Sequence, residues 1–408
     1  MNDFQTGQVT ESASLARGQR KLFRIILGLL VMAVLEGMSY IGVKLLDRKA
    51  HLSSLLPAIS DKVWAADVYQ NIRLSPLYDA EIGSDMPMAV RNDLPITNTP
   101  LVSVYGDSFT FAQFVETRYT WPYVLGEKAG VAPVLNMGKP GYGLDQTLLK
   151  LRKYYDKYPS KVVIAGLVPL TIQRVLAQFV NYYYGEPDPV PMTKPRYRVV
   201  NGNVEFVPNL CGSYENMLKL LDADYLRECS RRDYWYCHDI RCFGYDRLAL
   251  KPRSSPYILE AANIIRLRLL YPRSGRNELA PMYEDWNGEG MVIMRYLADQ
   301  FAEFAAEKQF TLVIVVNCAP GDFESNKYMG KYLDYIRGKG IIAVNIADIF
   351  NREIAAGRAT RKSLFGTSHY SELGNRIAAE GLAPLVVLLK DGKLDEARRY
   401  ADSLRIRE

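Results

Sequence analysis

The chain has 408 residues, which at roughly 150 residues per domain suggests two to three domains, or one large domain with an insertion. Apolar residues make up 48% and charged residues 24%, an ordinary globular balance that excludes disorder and low complexity. The net charge of +6 is spread thinly and the mean hydropathy is −0.12, so nucleic acid is not an expected partner and a multi-pass membrane protein is excluded, while one span is not.

Residues 1–22 read as a cytoplasmic tail. From Phe23 to Leu46 the sequence is almost unbroken in its apolar character, about 20 residues long and enough to cross a ~30 Å hydrocarbon core. No small-residue cleavage site follows, which predicts an uncleaved single-pass anchor over 23–46 rather than a removed signal peptide. The alternative is a buried core helix. Arg17, Arg20, Lys21 and Arg24 stand before or at the N-terminal end of the span, and Lys44, Arg48 and Lys49 at or after its C-terminal end. That bias predicts a cytoplasmic N-terminus in the inner membrane, with the bulk of the chain periplasmic or otherwise extracytoplasmic. Glu36 lies inside the span, where a carboxylate costs a few kcal/mol. It reads either as a tolerated polar residue or as a contact with another membrane protein.

Residues 47–96 are mixed and Pro-containing, and read as a stalk joining the domain edge. A strand–helix rhythm follows. Strands are predicted at Leu101–Tyr105, Val134–Asn136, Lys161–Val168, Phe310–Asn317 and Ile341–Ala347; near-continuous β-branched runs of this kind are buried on both faces, hence a parallel sheet. Helical patterns cover Leu144–Lys157, Met291–Lys308, Tyr328–Gly338 and Ser371–Leu389. The alternation predicts a doubly wound α/β core over 97–182 and 290–390, with its site at the carboxyl ends of the strands.

Residues 183–289 interrupt the rhythm and read as an inserted subdomain. Within it RYRVV-NGN-VEFV predicts a β-hairpin with an Asn-Gly turn. Cys211, Cys229, Cys237 and Cys242 cluster here, an even number that can form two disulfides in an oxidising compartment. Zinc held by Cys229, Cys237, His238 and Cys242 lacks the usual Cys-x-x-Cys spacing, so no metal site is expected. Cys318 reads as a small buried apolar residue. Residues 391–408 read as a charged C-terminal tail.

Three short elements carry the chemistry. Gly106-Asp107-Ser108-Phe109 directly follows the first strand, which puts a hydroxyl at the sheet rim; the plainer reading is a helix cap. Asn136-Met-Gly138-Lys-Pro-Gly141-Tyr-Gly143 follows the second strand, and its glycines either let backbone N–H groups approach a ligand or simply form a tight turn. Asp145 reads as a cap of the next helix. Ser368-His369-Tyr370-Ser371 opens the last helix. His369, one of three histidines in the chain, reads either as a general base for Ser108 or, the plainer reading of a lone histidine, as a core or surface residue.

In this order the three elements resemble the SGNH/GDSL hydrolase superfamily, over about 97–182 and 290–388. Gly106-Asp107-Ser108 resembles its nucleophile block, Gly138 or Gly141 its oxyanion glycine, and His369-Tyr-Ser-Glu-Leu-Gly-Asn375 its histidine block. With Asp145-Gln146 after the glycines, the likeness is nearest to membrane-anchored SGNH-like proteins of bacterial exopolysaccharide modification. It implies a flavodoxin-like three-layer sandwich and a serine esterase or O-acyltransferase working on acetyl esters of an envelope polysaccharide, without a cofactor. Transfer would imply a multi-pass membrane acyltransferase as partner. Two positions depart from the family pattern: Leu170 stands where an oxyanion asparagine is usual, and Gly366 where an acid precedes the histidine by three residues. The competing expectation is a catalytically degenerate glycan-binding or scaffold subunit. A lipid esterase is weaker, since no long apolar lid segment is evident.

Overall fold

Five short strands build the centre of the protein: β1 (Val102–Tyr105), β2 (Leu135–Asn136), β3 (Val162–Leu167), β4 (Thr311–Val316) and β5 (Ile342–Asn345). The computed structural model describes residues 21–42, 99–179, 193–210 and 279–406, with isolated positions between them. The chain divides into two compact units, one of Met1–Pro57 with Cys237–Pro272, the other of Ala58–Tyr236 with Arg273–Glu408.

In the larger unit the strands are all parallel, in the order β2-β1-β3-β4-β5. This is the flavodoxin-like doubly wound order, whose switch point lies between β1 and β3. Alternate residues explain the unbroken apolar runs. Val102, Val104, Val162, Ile164, Val313, Val315, Ile342 and Val344 enter one core, while Tyr105, Val163, Ala165, Leu312, Ile314 and Val316 enter the other. A strand buried on both faces has no polar positions to spare.

Helices cover both faces. The first core is closed by α2 (Trp121–Ala129), α8 (Ile346–Ala355), α9 (Glu372–Lys390) and α10 (Leu394–Ser403). The second is closed by α3 (Leu144–Tyr154), α4 (Thr171–Leu176), α5 (Leu279–Glu284), α6 (Glu289–Lys308) and α7 (Asn326–Gly338). A short α1 (Ser108–Phe111) follows β1.

Four sequence expectations are corrected. The fifth strand stops at Asn345, not Ala347, because the Asn345 side chain accepts the Ala347 N–H and starts α8. Residues 394–403 form a helix rather than a tail: Ala397, Ala401 and Leu404 recur at helical spacing and are buried in the first core. Burying Leu404 alone is worth about 1.5–3 kcal/mol. Asp145 does not cap α3. Gly143 holds that position, and Asp145 instead accepts the Gln146 N–H and pairs with the fully buried Lys194. The core also extends back past residue 290, since Tyr283 of α5 is buried and donates to the Pro169 carbonyl.

The hairpin forms over Arg196–Val200 and Asn203–Val207, with Asn201 at φ 50° and Gly202 at φ 81°. Positive φ at both turn residues is what a two-residue turn matching the strand twist requires. Cys229 and Cys318 are buried. Cys211, Cys237 and Cys242 lie outside the described residues, and with them the expected disulfides; so does His238, a member of the zinc set.

In the smaller unit the helix Lys21–Gly42 is long and apolar enough to cross a membrane. Glu36 finds its partner in this chain: Oε1 accepts the Tyr257 N–H at 2.7 Å and Oε2 the Ile258 N–H at 2.9 Å. The rings of Tyr40 and Tyr257 meet edge to face at 4.9 Å. A hydrogen bond contributes about 0.5–1.5 kcal/mol net, and a buried N–H left without its acceptor costs about 1–3 kcal/mol. Glu36→Leu is therefore expected to speed amide exchange in the peptide carrying Tyr257 and Ile258 by about tenfold or more, with Glu36→Gln between the two; equal exchange in all three proteins would refute the link.

Candidate active site

Ser108 is the first residue of α1. Asp107 caps that helix, its Oδ1 accepting the N–H groups of Phe109 and Thr110 at 2.9 and 3.4 Å. The N–H of a first helical residue has no acceptor within the helix, so Ser108 brings a hydroxyl and a backbone donor to one place. Ser108 is only 6% exposed.

Close backbone approach seats α1 over the strand ends. A Cβ on Gly138 would stand 2.4 Å from the Phe111 nitrogen, and one on Gly166 would stand 2.1 Å from Thr110 Oγ1. Glycine at these two positions is a packing requirement, whatever else the residues do. The Gly138 N–H is directed at Asn136 Oδ1, 3.0 Å away, and Asn136 Nδ2 donates to the Thr110 carbonyl at 3.1 Å. Gly141 is buried at φ 86° in the same loop.

His369 arrives from the far end of the chain. A tight reversal, with Phe365 bridged to Tyr370 and the Gly366 N–H donating to the His369 carbonyl, presents the imidazole. The reversal is pinned beneath by Tyr370, whose hydroxyl accepts the Cys318 N–H at 2.8 Å. Asn375 binds the parts together: Oδ1 accepts the Trp121 N–H, Nδ2 donates to the Tyr370 and Ser371 carbonyls, and Trp121 Nε1 donates to the Phe109 carbonyl.

His369 Nε2 lies 2.7 Å from Ser108 Oγ, and Nδ1 lies 2.9 Å from Ser368 Oγ. The imidazole is stacked on Phe109, centroids 4.5 Å apart, and meets Phe114 edge to face at 5.3 Å. For Nε2 to accept the serine proton, the neutral ring must carry its own proton on Nδ1, and Ser368 Oγ is there to accept it.

Arg174 of α4 crosses the same rim. It is buried, donates to the Tyr142 carbonyl at 2.8 Å and stands 3.7 Å from Asp107 Oδ2. Burial pushes the Asp107 carboxyl up, and the Arg174 charge opposes that. Burial, followed by the same Arg174 charge, lowers His369 from 6.5 to about 4. Leu170 is the residue that starts α4 and packs against both cores, so no polar side chain stands at that position.

The structure thus brings together Ser108 and His369, with Gly138 packed beneath α1. Sequence reading gave Ser368 no role beyond its place in the histidine element, and missed Arg174. A serine beside a histidine carries no signal of its own, and Arg174 reads as one more polar residue of a short helix.

No family model matches the sequence, and no curated protein matches it. Among solved structures, a member of the lipolytic protein G-D-S-L family from Veillonella parvula is similar at 10% identity, over 71% of this chain and 98% of that one, with a TM-score of 0.32. LAE5, an alpha/beta hydrolase enzyme from the metagenome of Lake Arreo, is similar at 10% identity, over 72% and 96%, with a TM-score of 0.34. Likeness at that level has no bearing on activity.

Two outcomes are expected from this geometry. The imidazole of His369, assigned by loss of its signal in His369→Ala, should titrate at about 4 by NMR while an exposed histidine titrates near 6.5; a value near 6.5 for His369 would contradict a half-buried ring in the field of the Arg174 charge. Gly138→Ala must displace α1, and overpacking of this kind costs about 1–3 kcal/mol, which thermal unfolding reads as a lower Tm.

Proposed function

We propose that this chain is a membrane-anchored serine esterase or O-acyltransferase of the SGNH type, acting on acetyl esters of an extracytoplasmic polysaccharide. The observation that carries the reading is the Ser108 Oγ–His369 Nε2 distance of 2.7 Å at the carboxyl end of a parallel sheet, with Nδ1 engaged by Ser368. That is the nucleophile–base–orienter arrangement of covalent acyl chemistry.

In the reaction, Ser108 Oγ attacks the acyl carbonyl while its proton passes to His369 Nε2. The Ser108 N–H lies beside the developing oxyanion, and the Gly138–Gly141 loop borders it. Collapse breaks the bond to the sugar oxygen, which takes the proton from His369 and leaves an acyl-serine. Water, or a second sugar hydroxyl, then attacks with His369 again as base. The second outcome moves the acyl group between sugars; net acylation of the polysaccharide would require the acyl-serine to form instead from a donor delivered across the membrane by a multi-pass acyltransferase partner.

Both departures from the family pattern make the machinery a weak one. A neutral hydroxyl stabilises an imidazolium less than a carboxylate does, and an oxyanion donor is typically worth about 2.7–4 kcal/mol. These features favour the second reading, a degenerate glycan-binding subunit of a polysaccharide-modification complex. The intact Ser–His contact favours catalysis. The N-terminal apolar helix supports a membrane anchor, and the basic residues flanking its apolar stretch 25–43, namely Arg17, Arg20, Lys21 and Arg24 before it against Lys44, Arg48 and Lys49 after it, favour a cytoplasmic N-terminus and an extracytoplasmic catalytic unit.

The test is acetate release from an aryl acetate by the full-length protein in detergent. Ser108→Ala and His369→Ala should each lose about 10²–10⁴-fold, and activity unchanged by Ser108→Ala would sink the enzyme reading. The neutral ring is the active base, and its value is lowered from 6.5 to about 4; kcat/KM should therefore stay level as pH falls through 6.5 and drop only as it falls through about 4. Gly366→Asp is sterically open, since a Cβ there meets nothing nearer than the His369 carbonyl oxygen at 3.9 Å. A carboxylate supplied to the imidazole at that place favours the imidazolium, so the acid limb should move to higher pH and kcat should rise.

A further inference from the structure

Phe114 is the most exposed large apolar side chain among the described residues outside the N-terminal helix, at 67%. A single exposed apolar residue is ordinary. What sets this one apart is its backbone and its neighbour. Its φ is 74°, a left-handed conformation that bulky residues avoid and that persists only where the surroundings enforce it. Its ring meets His369 edge to face at 5.3 Å, one side chain away from Ser108.

The enforcement is visible. Ala112, two residues earlier, is also left-handed at φ 55° and ends α1. Arg91 Nη1 donates to the Val115 carbonyl at 2.8 Å and Nη2 to the Ala112 carbonyl at 3.3 Å, with the guanidinium 4.3 Å above the Phe111 ring. One cation therefore clamps both ends of the turn that carries Phe114. A protein that only needed to close this turn would gain by a small or polar residue at its tip, because an exposed phenylalanine in a strained conformation contributes nothing to the core.

Resting on the ester reading above, we propose that Phe114 is an aromatic platform for the apolar C–H face of a pyranose ring, holding an acylated sugar over Ser108 and His369. The surroundings choose the ligand. Ser368, whose Oγ lies 2.9 Å from the imidazole Nδ1, and Thr367 before it are both exposed and both carry hydroxyls. A lone ring among hydroxyls fits a ligand with a flat apolar face and a polar rim, which is what a sugar presents. A long acyl chain needs a continuous apolar trough, and a single ring does not make one.

The experiment compares full-length wild type, Phe114→Ala and Phe114→Trp on three probes: mono-O-acetylated methyl glucosides, vinyl acetate, which has no ring, and vinyl decanoate. Phe114→Ala should raise KM on the glucosides and cut kcat/KM by about tenfold, the size of one aromatic contact, with a loss on vinyl acetate several times smaller. Phe114→Trp should restore the preference. An equal loss on glucosides and vinyl acetate would overturn the platform and leave Phe114 as support for His369. A loss selective for vinyl decanoate would overturn it in favour of an acyl site. Ser108→Ala separates this inference from the reading beneath it. Wild-type turnover matched by Ser108→Ala removes the esterase reading alone; binding of the acetylated glucosides to Ser108→Ala, followed by saturation-transfer NMR, then decides the platform. Binding lost in the Ser108→Ala, Phe114→Ala double variant and kept with Phe114→Trp supports it, and binding equal in all three overturns it.

Discussion

The site depends on how closely one short helix lies against the edge of the sheet. α1 has four residues, too few to be stable by itself, and it is held by backbone-to-backbone approach. Gly138 leaves room for the Phe111 nitrogen and Gly166 for the Thr110 hydroxyl. Asn136 fills its remaining bonds in the same place, accepting from Gly138 and donating to Thr110. Ser108 is placed by this contact, and Phe109 and the Ala112–Val115 turn follow from it. The glycine-rich second element is thus first a seat for the nucleophile's helix.

The second half of the site is brought by α9 and the reversal before it, and its electrostatics follow from where that reversal is pressed. Stacking on Phe109 partly withdraws the imidazole from water, and the buried Arg174 adds a like charge. Both favour the neutral ring, which is the form able to accept a proton, and both oppose the imidazolium that results. A carboxylate partner would offset that cost; Ser368 offers a neutral oxygen instead. The same Arg174 offsets the charge of Asp107, which caps the nucleophile's helix. One cation thus links the cap, the glycine loop through the Tyr142 carbonyl, and the base.

Much of the fold was legible because it rests on local rules. The apolar runs of β1, β3 and β4 state that both faces are covered, and their alternation into two cores bears that out. The Asn201-Gly202 turn could be read because few residues accept two successive positive φ values. The Asn345 cap is local, its side chain accepting the N–H two residues on, and was masked by the apolar run that continues past it. The other elements that were misread or missed depend on partners distant in sequence: nothing local says that the stripe in the charged stretch 394–403 is covered by α9 and the first core. Glu36 gave a correct alarm, a carboxylate in an apolar helix, but its acceptors' partners at Tyr257 and Ile258 are more than two hundred residues away.

The sequence by itself determined the class of the protein and the three short elements of its site, because strand burial, turn chemistry and the order of motifs are properties of contiguous residues. Only the tertiary structure decided what those residues do to one another. That His369 reaches Ser108, that Phe114 borders the imidazole and that the Arg174 charge acts on it are outcomes of packing between segments of the chain far apart in sequence. A side chain's partners depend on distance and direction in space, and neither is written in the order of the residues.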